Sequence, residues 1–153
     1  MNNDWFECKV RYDKTTETGL IKTVKEAYLV EALSFSEAER RFIEELTPLI
    51  TGEYTVSDIK RAKLAEVMES KDASADRWFR IKLGFITLDE KTGAEKRSHQ
   101  QVLVQATDFH NAIEELDEHM KGTLADWVIE NTVETKILDV FHYVKAERHE
   151  ATE

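Results

Sequence analysis

Apolar and polar residues alternate from Trp5 to Tyr12: Phe6, Cys8, Val10 and Tyr12 fall on one side, Trp5, Glu7, Lys9 and Arg11 on the other. A period of two is what a strand with one buried face requires. The pattern returns at Trp78 to Phe85, where Phe79, Ile81, Leu83 and Phe85 are set against Trp78, Arg80, Lys82 and Gly84. A polar turn follows each strand, Asp13 to Gly19 and Asp89 to Gly93, with glycine supplying the positive φ of a short hairpin. A second strand then carries Tyr28, Val30 and Ala32 inward, matched by Val102, Val104 and Ala106. Here the period changes. Ala38, Phe42 and Leu46 make one helical stripe, and Ala112, Leu116 and Met120 make another. Ser34 with Glu37 three residues on forms a capping box, Asp108 is the equivalent cap, and Pro48 and Gly122 stop the two helices.

The third element, Tyr54 to Met68, and its counterpart Val133 to Val140 are rich in β-branched residues and read as extended chain. Fifteen extended residues span about 50 Å, so a bulge or a break near Asp58 is expected. The two halves also match residue by residue. Trp5, Phe6 and Lys9 recur as Trp78, Phe79 and Lys82, and Leu29, Val30, Ala32 and Phe35 recur as Leu103, Val104, Ala106 and Phe109. The expected fold is therefore α+β: an internal duplication of a strand-strand-helix-strand unit, with antiparallel strands in one sheet or two packed sheets and both helices on one side. A single domain over 1–143 would hold the repeats 5–68 and 78–141, with a polar linker at Glu69 to Asp76 and a charged, flexible tail over 144–153.

Composition narrows the function classes. The 153 residues are 41% hydrophobic and 34% charged, enough for one packed core and too interrupted for a membrane span. A net charge of -10 argues against a protein that coats duplex DNA by bulk positive charge. The lone Cys8 has no disulfide partner within the chain, and the sequence from Met1 to Trp5 has no leader character, so a cytoplasmic location is expected.

Chemistry is sparse. No Cys-x-x-Cys or His-Glu-x-x-His spacing offers a metal site, and His110, His119, His142 and His149 read as solvated. The glycines Gly19, Gly52, Gly84, Gly93 and Gly122 form no phosphate cradle and are assigned to turns. Adjacent helix carboxylates such as Glu44 and Glu45 point about 100° apart and lack the burial that tunes an acid or a base. Cys8 lies on the apolar face, where a thiol packs rather than reacts. No catalytic residue, metal or cofactor is expected. One constellation remains: Trp5, Lys9, Arg11, Trp78, Arg80 and Lys82 all project from the face opposite the core, while the helices carry most of the acid. Indoles and cations on an open sheet face suit single-stranded DNA or RNA, by stacking and phosphate pairing. The same residues also suit a solvated face, or an interface with a protein partner or a second copy.

The strings Trp5-Phe6-x-Cys8-Lys9-Val10, Tyr28-Leu29-Val30-x-Ala32-Leu33-Ser34-Phe35, Asp58-Ile59-Lys60-Arg61-Ala62-Lys63 and Phe85-Ile86-Thr87-Leu88-Asp89-Glu90-Lys91 resemble a family of domains of unknown function carried by Bacteroidetes bacteria and their phages. The resemblance runs from Trp5 to about Tyr143 and implies a bacterial or phage cytosolic protein, one that a mobile element could carry, with no activity or site residues to carry over. The expectation is a non-enzymatic module that binds single-stranded nucleic acid; the alternative is a protein-protein adaptor or homo-oligomeric accessory protein.

Overall fold

A computed structural model describes residues 3–143; the tail expected over 144–153 lies outside the described residues. The elements run β1 (Asp4–Thr15), β2 (Ile21–Ala32), α1 (Phe35–Leu46), β3 (Tyr54–Ala62), β4 (Glu66–Met68), β5 (Arg77–Leu88), β6 (Glu95–Ala106), α2 (Phe109–His119), β7 (Asp126–Glu134) and β8 (Ile137–Phe141). The fold is α+β. Both hairpin turns form where glycine allows them, with Gly19 at φ 85° and Gly93 at φ 71°. Both helix caps form as well. The Ser34 hydroxyl accepts from the Glu37 amide at 3.2 Å, while Glu37 Oε1 accepts from the Leu33 amide at 2.8 Å. Asp108 accepts from the Asn111 amide at 2.8 Å, and Asn111 Oδ1 accepts from Thr107 at 3.0 Å.

The strands make two four-stranded sheets, in the orders β3-β1-β2-β8 and β4-β6-β5-β7. In the first, β1 pairs antiparallel with β2 and with β3; in the second, β5 pairs antiparallel with β6 and with β7. The remaining joins are parallel and exchanged. The short β4, which follows β3 in sequence, lies along β6, and β8, which follows β7, lies along β2. The expected strand-strand-helix-strand unit thus gains a fifth element, a short fourth strand, and that strand leaves it. Register supplies the reason: Ala62 already faces Trp5, near the first residue of β1, so further β3 residues would have little strand left to pair with. The bulge expected near Asp58 is present, since Lys9 faces Asp58 and Val10 faces Val56, leaving Ser57 as the extra residue. The chain divides into two compact units, one running through Ala62 and resuming at Ile137, the other spanning Lys63–Lys136.

Each unit packs its helix on one face of its sheet. In the first, Ala38, Phe42 and Leu46 of α1 meet Phe6, Cys8, Val10, Tyr28, Val30 and Ala32. In the second, Ala112 and Leu116 of α2 meet Met68, Phe79, Ile81, Leu83, Val102, Val104 and Ala106. The exchanged strands are then fastened by one device used in both units. The Tyr143 amide donates to Glu31 Oε1 at 2.9 Å, and the Ser70 amide donates to Gln105 Oε1 at 3.0 Å. Glu31 and Gln105 each sit just before the last residue of the strand that receives the newcomer. Arg41 strengthens the first clasp by donating to the Glu31 carbonyl and, at 2.6 Å, to the His142 carbonyl, with its guanidinium 5.1 Å from the Tyr143 ring. In the second unit Glu115 accepts from the Ser70 hydroxyl at 2.6 Å.

Phe42 is fully buried and its ring lies 5.6 Å from that of Tyr28. Phe42→Ala is expected to cost about 3–5 kcal/mol, through lost burial and the cavity left behind, with secondary structure retained. Urea unfolding checks this; a loss below about 1 kcal/mol would place Phe42 outside a packed core.

Candidate binding face

The structure distributes the six predicted residues between the two sheets. Trp5, Lys9 and Arg11 share the face of the first sheet that α1 leaves uncovered, and Trp78, Arg80 and Lys82 share the corresponding face of the second, because alternate residues of β1 and β5 point away from the helices. Their surroundings differ. Trp5 is half-buried, its ring 5.4 Å from the His142 ring in an edge contact, whereas Trp78 is only 3% exposed. Arg11 is exposed, while Lys9, Arg80 and Lys82 are half-buried. Opposite charges face one another across the first sheet, Lys9 beside Asp58 and Glu7 beside Lys60, which offsets the cations there.

This face was expected to be open, and in part it is closed. Leu29 faces Glu7 and Leu103 faces Arg80, and both leucines have 0% exposure, although neither belongs to a helix-covered core. Ala27, Ile137 and Val140 are buried with Leu29 where β8 joins β2. A ring as hidden as Trp78 offers no face to a base, so the stacking pair is reduced to Trp5 alone.

A second cluster escaped the sequence reading. The register of β5 against β7 shifts between Lys82 and Leu83, leaving Glu130 as the extra residue of a bulge. Its carboxylate lies 3.2 Å from an Arg97 guanidinium nitrogen and 3.1 Å from His99 Nε2. Gly84, facing His99 on one side and Val128 on the other, makes room for it: a Cβ there would stand 2.3 Å from Glu130 Oε2. Gly84 thus serves a strand interior and not a turn. A glycine amid alternating apolar residues was the available signal, since in strands it marks bulges and close approaches.

Nucleophilic chemistry finds little footing. Burial pushes the Cys8 thiol up to about 12, with Glu7 and Asp58 adding to the shift, so it stays protonated near neutrality. Burial likewise raises the Tyr28 hydroxyl to about 12, reinforced by Glu26, which accepts from it at 3.3 Å. Among the described residues no group of three His, Cys, Asp or Glu side chains is placed to hold a metal, and no helix is long and apolar enough to cross a membrane.

Comparison with protein families places this architecture. The family described as Domain of unknown function (DUF4494) matches residues 4–143. The chain belongs to the DUF4494 family. The match begins with β1 and ends just past β8, so both exchanged strands lie within the DUF4494 domain. No curated protein and no solved structure matches the chain.

In this DUF4494 domain, Gly84→Ala is expected to displace the Glu130 carboxylate from Arg97 and His99 and to destabilise by about 1 kcal/mol. Adding Glu130→Ala should recover part of that loss, a coupling of at least about 0.5 kcal/mol in a double-mutant cycle read by urea unfolding. Strict additivity would contradict the close approach.

Proposed function

We propose that the chain is a non-enzymatic binding module working through protein contact, as an adaptor or as an accessory protein that associates with itself. The observation that carries this reading is the burial of Trp78 at 3% exposure, which removes one of the two stacking platforms a single-stranded nucleic acid would use. A net charge of -10 adds long-range repulsion of a polyanion. Large apolar side chains are meanwhile exposed at turns: Leu20 and Ile21 beside the β1–β2 turn, Leu88 beside the β5–β6 turn, and Leu124 after α2. Apolar surface of this kind is better satisfied by another protein than by phosphate. The resemblance to domains carried by bacteria and their phages supports a cytoplasmic setting, and the like order of elements in both units supports an ancestral duplication.

Single-stranded nucleic acid is the second reading, favoured by the partial exposure of Trp5, Lys9 and Lys82 and the exposure of Arg11. Sedimentation velocity over a wide concentration range, beside titration of a fluorescent single-stranded oligonucleotide at two salt concentrations, decides between them. Protein contact predicts a sedimentation coefficient that rises with concentration and no oligonucleotide binding at low salt and micromolar protein. A monomer that binds the oligonucleotide with a log-log salt slope near about -3, as four phosphate contacts through Lys9, Arg11, Arg80 and Lys82 require, would overturn it.

A further inference from the structure

The three-residue connector between β3 and β4, Lys63 to Ala65, runs beside β6 and is fixed there by the Ala65 amide, which donates to the Gln101 carbonyl at 2.7 Å. Between this connector and the neighbouring strands lies a cavity of about 430 Å³ lined by Lys63, Lys82, His99 and Gln101 among others. Lys82 and Gln101 face each other in register, and His99 lies two residues along the same strand, so these three side chains rise from one sheet face. No carboxylate lines this cavity, whereas the cavity beside Arg11 includes Asp13 and Glu53, and the one beside Lys14 includes Glu17. Glu130, an acid in contact with the lining residue His99, is shared between His99 and Arg97. Neither Lys63 nor Lys82 takes part in an ion pair among the described residues.

We propose that this cavity is an oxyanion site that takes a phosphate group. Two ammonium groups lining one concavity repel each other until an anion sits between them, and each brings three donors to a tetrahedral oxyanion. The Gln101 side-chain amide adds a neutral donor, and the clasped connector holds Lys63 in place without loop closure at the moment of binding. In a chain of net charge -10, a cavity lined by Lys63 and Lys82 and by no carboxylate is a local reversal of the overall field. The site stands apart from the protein-contact reading, since it needs none of the apolar surface on which that reading draws.

The test is a titration of the isotopically labelled full chain with inorganic phosphate, followed by amide chemical shifts at ionic strength held constant with chloride. Saturable shifts are expected at Ala65, Lys82, His99 and Gln101, with the amides of α1 unmoved, and Lys63→Gln with Lys82→Gln should weaken binding about tenfold or more. Parallel titrations with a nucleoside monophosphate and a short single-stranded oligonucleotide identify the source of the phosphate. A monophosphate equal to phosphate, with the oligonucleotide bound no more tightly, supports an isolated phosphate group; an oligonucleotide bound more tightly, and lost in the double variant, supports the site as one for a strand and overturns the protein-contact reading. Shifts that grow linearly without saturation, or that the double variant leaves unchanged while its spectrum shows the native fold, would overturn the proposal.

Discussion

Parallel pairing of β8 on β2 and of β4 on β6 is the constraint from which the rest of the architecture follows. Each sheet is finished by a strand that the chain delivers from its other half, and in each the arriving strand is pinned by one amide bonded to the side chain at the end of its host strand. Parallel joins are non-local by nature, and ordering so short a strand as Glu66–Met68 costs conformational entropy that a few ladder bonds barely offset. The clasps through Glu31, Arg41 and Gln105 add part-buried hydrogen bonds, charge-assisted at Glu31 and Arg41.

Exchange also governs the surfaces. Where β8 lies along β2, the residues Ala27 and Leu29 are buried with Ile137 and Val140 on the side away from α1. Where β4 joins β6, the connector before it lines the Lys63–Lys82 cavity. The face expected to be one open platform is therefore divided into buried apolar ends near Trp78 and Leu29 and polar stretches further along the strands, around Arg11 and Lys82. Function is to be sought in the second kind of surface and in the exposed turns.

Much of the fold was legible from local physics. Period-two alternation located β1 and β5, glycine located both hairpins, and Ser34 and Asp108 located the helix starts, because each depends only on residues within a few positions. The excess length of Tyr54 to Met68 also announced the bulge near Asp58, while the break between Ala62 and Glu66 falls further along than that reading put it. Partner choice was not legible: Glu66-Val67-Met68 alternates equally well beside β2 or β6, and nothing in three residues says which. The site shows the same division. Strand alternation placed Lys82 and Trp78 on the correct face, yet the letters at Trp5 and Trp78 are identical while one ring is half-exposed and the other hidden, since burial depends on what covers a face. Gly84 carried a signal, and reading it as a turn residue hid Glu130 and His99.

The most direct measurement of the exchange is a set of cross-strand nuclear Overhauser contacts in the full chain. The structure predicts contacts from Leu29 and Val30 to Val140 and Phe141, and from Leu103 and Val104 to Val67 and Met68. Contacts of Val140 and Phe141 with β6, and of Val67 and Met68 with β2, would mean that each strand stays with its own half and would contradict the exchange.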